Sequence, residues 1–206
     1  MHDQYLLDTP LMHDFIGQVQ QIINSTPSVS ERLAAIRPHF SQLMADQSWL
    51  PAEFRQPAEH SSMGGGIATW LMYRAGDGNL SFFTLVVPPG SSTPIHDHLA
   101  WGLVGLYVGE QNEDVFERLP GNDALDGHAP LRLVRSEPLK PGTFYELIPP
   151  DGDIHRVTTT GSEPSISLHL LGNDTGCVWR HSFDLKSGQV QAFRSGYTNQ
   201  ACKDNT

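Results

Sequence analysis

The stretch GSSTPIHDHLAWGLVGLYVG, residues 90–109, decides how this chain reads. Two histidines, His96 and His98, follow a Gly/Pro turn with one residue between them. In a strand, positions i and i+2 point to the same face, so both imidazoles can approach one ion from one side of a sheet. The apolar run that follows is rich in β-branched and aromatic residues, which suit a strand. The same texture continues on both sides. ATWLMYR (68–74), LSFFTLVV (80–87) and DVFERL (114–119) read as strands, as do HRVTTT (155–160) and PSISLHLLG (164–172). LRLVRSEPLKPGTFYELIP (131–149) holds two more around a Pro-Gly turn, and GCVWRHSFD (176–184) is strand-like. Many short strands between Gly/Pro turns predict an all-β sandwich or barrel over residues 61–196.

The first 60 residues differ. Leu11, Phe15, Val19 and Ile22 recur at helical spacing and predict one apolar helix face. Ser28 and Glu31 have the spacing of a capping box for a second helix, Pro38 limits it, and HFSQLMAD (39–46) reads as a third. Pro51 and Pro57 then break the pattern. A single domain over 1–206 is expected, with a helical lead-in (1–60), a barrel (61–196) and a loose polar tail (197–206).

Composition narrows the function. The chain has 206 residues, 38% hydrophobic and 17% charged, with too little charge or periodicity for a disordered chain or a coiled coil. Its net charge of −10 argues against a broad nucleic-acid-binding face. No apolar run is long enough to span a membrane, and acids stand near the start where a signal peptide needs basic residues, so a soluble cytoplasmic protein is expected. Cys177 and Cys202 lack metal-type spacing and indicate no disulfide framework; Cys177 reads as a buried thiol and Cys202 as an exposed one. Ten histidines against thirteen lysines and arginines stand out.

A third histidine, His155, follows the turn PPDGDI. Three neutral imidazoles suit Fe(II), Zn or Ni and leave coordination positions open. They add no negative charge, so an anionic ligand would stabilise a divalent ion there. Gly90, Gly102 and Gly109 frame the first pair.

These residues carry a resemblance. Gly90, His96, His98 and Gly109 resemble the first cupin motif, and Pro150, Gly152 and His155 resemble the second. The usual cupin glutamate would fall at Gly102 or Leu103, so the fourth protein ligand is missing. A three-histidine cupin is similar to the cysteine dioxygenase type I family, closest to bacterial cysteine and 3-mercaptopropionate dioxygenases. The matching strings are TPIHDHLAWGLVGLYVG, DGDIHRVTTT, SISLHLLG, FRSGYTN and QSWLPAEFRQP. The resemblance implies a double-stranded β-helix (cupin, jelly-roll barrel) with an N-terminal helical segment. It implies an Fe(II) site held by His96, His98 and His155. It also implies a small thiol carboxylate and O2 as reactants, with both oxygen atoms ending on sulfur as a sulfinate.

The family's Ser-His-Tyr relay maps to Ser167, His169 and Leu171, so serine and histidine match and the tyrosine does not. Tyr73 and Tyr145 are candidates for the missing hydroxyl. Arg180 matches the arginine expected to hold the substrate carboxylate, for which a guanidinium is suited. Arg74 is expected at a turn rather than in the pocket. Ala68 and Thr69 stand near the place of a substrate-binding glutamine, and with Leu171 they suggest an altered or larger pocket. The partners of a known cysteine–tyrosine crosslink map to Gly102 and Leu171, so none is expected. Trp101 is either a neighbour of the metal or a core aromatic. Two other readings remain: a Zn, Ni or Mn cupin with a non-thiol substrate, and a metal-containing cupin that binds a small molecule with weak or lost activity. No nucleic-acid or membrane partner is expected, and the protein is read as a monomer or homodimer.

Overall fold

A computed structural model of the protein describes residues 2–119 and 127–202. Helix α1 (Pro10–Ser25) starts where the Thr9 hydroxyl accepts from the Met12 amide at 3.3 Å, with Pro10 in the first turn. It buries Met12, Phe15, Ile16 and Val19. Leu11, expected on that face, is exposed instead. Helix α2 (Val29–Ala45) runs straight through Pro38, so residues 39–46 form no separate helix. Leu33 and Ile36 before the proline and Phe40, Leu43 and Met44 after it bury one face, which offsets the lost backbone hydrogen bond. The expected capping box does not form, because the Ser28 side chain caps no amide. A 3-10 turn (Ala52–Arg55) leads into the barrel.

Among the described residues twelve strands form two sheets: β1 (Gln4–Tyr5) ahead of the helices, then β2 (Ala68–Arg74), β3 (Ser81–Val87) and β4 (Ile95–His96) after them. Next come β5 (Gly102–Val108), β6 (Gln111–Arg118), β7 (Leu131–Leu139) and β8 (Phe144–Leu147). The last are β9 (Ile154–Thr159), β10 (Ser165–Leu171), β11 (Arg180–Phe183) and β12 (Val190–Phe193). One six-stranded sheet has the order β1-β2-β3-β10-β5-β8, the other β12-β11-β4-β9-β6-β7, and the pairings are antiparallel. This is the cupin double-stranded β-helix.

Strand periodicity explains the layers. In β10, Ile166, Leu168 and Leu170 join the outer core with Met12, Phe15 and Phe40 of the helices, while Ser167 and His169 face the barrel interior. In β3, Phe82 faces the helices and Phe83 faces inward. Burial on both sides makes β3 read as a mostly apolar run, whereas β10 alternates Ser165, Ser167 and His169 with Ile166, Leu168 and Leu170 although all of it is buried.

Three expectations need correction. The HxH pair does not lie within one strand, because β4 ends at His96. Residues 176–179 are not strand; β11 begins at Arg180. The described part of the tail, up to Cys202, is not loose. Thr198 N donates to Thr69 O (2.7 Å), Thr69 N to Thr198 Oγ1 (3.0 Å) and Leu71 N to Asn199 Oδ1 (3.0 Å). The tail thus satisfies the open edge of β2, and in doing so brings Cys202 to Cys177, with which it forms a disulfide. The two cysteines are therefore neither a free buried thiol nor a free exposed one.

Gly102 shows how tightly the barrel is closed. A Cβ there would lie 2.2 Å from Leu170 O and 2.5 Å from Leu171 Cδ2. Gly102→Ala is expected to destabilise the fold by about 1–3 kcal/mol, read from urea unfolding. An unchanged midpoint would show that the strands can separate there without cost.

Candidate metal centre

His96 and His155 are direct cross-strand partners between β4 and β9. His98 reaches them by a different route from simple strand alternation. Asp153 Oδ1 accepts from His98 N (2.9 Å) and Oδ2 from Leu99 N (3.0 Å), and Leu99 takes a left-handed φ of 55°. The carboxylate holds an unfavourable turn that aims His98 inward. The ring centroids lie 5.0 Å apart for His96–His98, 5.0 Å for His96–His155 and 4.7 Å for His98–His155. All three residues are buried, and each offers one ring nitrogen within 4.8 Å of the others.

The outer nitrogens are engaged. His96 Nδ1 lies 2.8 Å from Pro94 O, His98 Nδ1 3.3 Å from Asp153 O, and His155 Nδ1 3.0 Å from Glu113 Oε1. Donation outward from Nδ1 leaves each Nε2 as the lone-pair nitrogen for a metal. Burial holds His96 and His98 below the usual imidazole range, with the neighbouring histidines and Arg180 adding to the effect. They are therefore neutral, the form a metal requires. Burial works against the Glu113 charge, but His155, Tyr145 and Arg135 outweigh it and hold its carboxyl below the usual range. Asp153 is held down in the same way by His98 and two backbone amides.

A cavity of about 20 Å³ opens beside the histidines, lined by His96, His98, His169, Arg180, Thr69 and Ser195 among others. It is smaller than the pocket expected from the sequence, with room for little more than one water. Arg180 is 5% exposed and spends three of its five N–H groups on neutral acceptors: Thr175 O (3.2 Å), Asp97 O (2.6 Å) and Ser195 Oγ (3.1 Å). Among the described residues no carboxylate pairs with it. Asp97 instead turns its own carboxylate to His181, at 2.6 Å from Nδ1. Burial pulls Arg180 down to about 10, so it stays charged at neutral pH.

Ser167 Oγ lies 2.9 Å from His169 Nε2, and Phe83 stacks on the His169 ring at 4.9 Å. Burial lowers His169 well below the usual imidazole range. His169 Nδ1 and Thr69 Oγ1 are buried with no hydrogen-bond partner, and both residues line the cavity. Such atoms are costly unless a ligand meets them. Three outward-tied imidazoles and two unpaired polar atoms lining the cavity fit a divalent transition metal with open positions for substrate.

Leu171 lies in an apolar cluster with Leu71, Phe83, Ala100, Val104 and Leu147, opposite Gly102. Neither candidate tyrosine replaces the missing hydroxyl. Tyr73 Oη bonds Asp3 (2.7 Å) and Gln20 (2.8 Å) on the helix side, and Tyr145 Oη lies 3.2 Å behind His155, at Nδ1. Arg74 pairs with Asp174 at 3.1 Å and does not line the cavity. Trp101 packs in the helix-side core, so it is the core aromatic of the two readings. Glu113 and Asp153 were not singled out from sequence. Asp153 carries a signal, since it stands two positions before His155 on the same turn; Glu113 carries none. Glu113→Gln keeps an acceptor but removes the charge behind His155. It is expected to weaken the binding of a divalent metal ion about tenfold or more in a chelator competition, and an unchanged affinity would remove that role.

No family model matches the chain. Among solved structures it is similar to peruvianin-I, a cysteine peptidase from Thevetia peruviana latex, at 17% identity over 73% of this chain and 83% of that one, with a TM-score of 0.44. It is also similar to a Klebsiella pneumoniae protein with a double-stranded β-helix domain, at 13% identity over 69% and 93% of the two chains, TM-score 0.42. A Lactobacillus farciminis oxalate decarboxylase shares 19% identity over 59% of this chain and 32% of its own, TM-score 0.41. These likenesses do not bear on the activity. The two sheets and the three histidines between them define the class: a cupin-fold protein with a candidate metal centre.

Proposed function

We propose that the protein is an Fe(II)-dependent thiol dioxygenase that converts a small thiol carboxylate and O2 to a sulfinate. The supporting observation is Arg180, a buried guanidinium that shares a cavity wall with His96, His98 and His169 and that no carboxylate pairs with among the described residues. A buried charge without a counter-ion is costly, and an anionic substrate removes that cost. When bound, iron would supply the activation of thiol and oxygen. The chain's part is placement. The cavity of about 20 Å³ has to widen to admit the substrate; the two uncommitted N–H groups of Arg180 then hold the carboxylate, while Ser195 and two backbone carbonyls fix the guanidinium plane. Ser167 and Phe83 fix the His169 ring, whose Nδ1 is left to hold a proton or a polar group of the substrate. Leu171 and its apolar neighbours keep water from that wall. In this reading the whole chain, 1–206, works as one cytoplasmic domain, a monomer or homodimer without nucleic-acid or membrane partners.

Leu171 supports a second reading, a metal-containing cupin with a non-thiol substrate or with weak or lost dioxygenase activity. Metal analysis after iron-replete expression and oxygen uptake with cysteine, 3-mercaptopropionate and cysteamine separate the two. Stoichiometric iron and uptake with a carboxylate-bearing thiol are expected. Zinc in place of iron, or no thiol-dependent uptake by iron-loaded protein, would overturn the dioxygenase reading.

A further inference from the structure

A second cavity lies elsewhere, and one half of a disulfide forms part of its wall. Its volume is about 610 Å³, and it is lined by Arg74, Asp77, Asp3, Asp174 and Cys177 among others. Cys177 and Cys202 are half-buried rather than sealed in the core. Arg74 Nη1 lies 3.7 Å from Cys177 Sγ, and the same atom contacts Asp174 Oδ2 at 3.1 Å. The guanidinium therefore stands where an arriving thiolate would meet the disulfide, and a cation at that place favours the thiolate form. The two aspartates that Arg74 does not pair with, Asp3 and Asp77, favour a positive group on the same molecule.

The disulfide also pins a strap, residues 195–202. Gly196 N donates to Gly176 O (2.8 Å), and Tyr197 Oη to Asp174 Oδ1 (2.7 Å). Thr198 and Asn199 dock on the edge of β2. At its start Ser195 accepts from Arg180 beside the histidines, and Tyr197 meets Phe83 edge-on at 5.7 Å. The covalent anchor at one end of the strap and the metal-side cavity at the other are thus joined by a short, ordered segment.

We propose that Cys177–Cys202 is a thiol-exchange site for a small aminothiol, and that opening it loosens the strap that holds Ser195 against Arg180. The thiolate attacks Cys177 Sγ and the S–S bond breaks. The electron pair leaves on Cys202 Sγ, which takes up a proton, and the mixed disulfide on Cys177 occupies the large cavity. A second molecule of the thiol can attack that mixed disulfide through its own sulfur. It departs as the small-molecule disulfide and leaves Cys177 as a thiol. In sum, two small thiols are oxidised to one disulfide and the protein disulfide is reduced to two thiols. This goes beyond the dioxygenase reading, and none of its tests needs iron or turnover.

The full chain is treated with cysteamine or with 3-mercaptopropionate, then analysed by peptide mass spectrometry and amide hydrogen exchange. Cysteamine is expected to modify Cys177 about tenfold faster than 3-mercaptopropionate, and Asp77→Asn should reduce that preference. The amides of Gly196 and Thr198 should then exchange about tenfold faster or more. The double variant Cys177→Ser/Cys202→Ser should show the faster exchange without any thiol. An unreactive disulfide, equal rates for the two thiols, or unchanged exchange in the opened protein and in the double variant would each overturn the proposal.

Discussion

Protein carrying His155→Ala should leave iron-replete cells with less than about a tenth of the wild-type iron content, because two imidazoles do not hold a divalent ion against cellular chelators. The substitution removes one of the three histidines and also takes one partner from Glu113, which is 2% exposed, bonded to His155 at 3.0 Å and paired with Arg135 at 3.1 Å. A buried carboxylate left with fewer partners costs stability, so the iron loss has to be separated from a weakened fold. His155→Gln separates the two effects. Its amide can still meet Glu113, so stability should recover while iron binding does not. The checks are metal analysis on purified protein and thermal unfolding on the same samples. Full iron content in both variants would exclude His155 as a ligand.

Arg180→Lys should raise KM for a carboxylate-bearing thiol by about a hundredfold, with a smaller change in kcat. A lysine cannot reproduce the planar fork that reaches Thr175 O, Asp97 O and Ser195 Oγ and still offers two N–H groups to a ligand. Each charge-assisted hydrogen bond is worth about 1.5–3 kcal/mol, so the loss of one or two accounts for a change of that size. Oxygen uptake against substrate concentration is the measurement. An unchanged KM would mean that Arg180 braces the barrel and touches no substrate.

Much of this was readable from residues alone, for physical reasons. The strands β2, β3, β5 and β10 announce themselves because nearly all their positions are buried, so their sequences are rich in large apolar residues with only a few polar ones, such as Ser167 and His169. His96, His98 and His155 converge as their motifs imply, although His98 is delivered by the Asp153 clamp and not by strand alternation. Short elements were not legible. β1 and β4 have two residues each, and β4 takes its meaning from the partner it meets, not from its own composition. Pro38 misled because local propensity favours a break, whereas five buried side chains on the helix favour continuity. The docked tail depends on contacts across more than a hundred residues, such as Thr198 with Thr69, and the disulfide joins cysteines 25 positions apart once that tail is docked; no local pattern records either. Glu113 was invisible for the same reason: it lies 42 positions from His155 and reaches it only through the pairing of β6 with β9.

The pairing of His96 with His155 has one more consequence. The two-residue strand β4 is stitched into its sheet through that single pair on one side and through Ser182 and Phe183 on the other. An ion held between the rings would act as a rivet across this narrow seam. Protein that never received its metal should come apart there first and expose Ile95 to the outside. Proteases would then meet a loosened loop in the unfilled molecule and a closed one in the filled molecule. A cell could sort the two by mechanical integrity alone, without any reader of the metal itself.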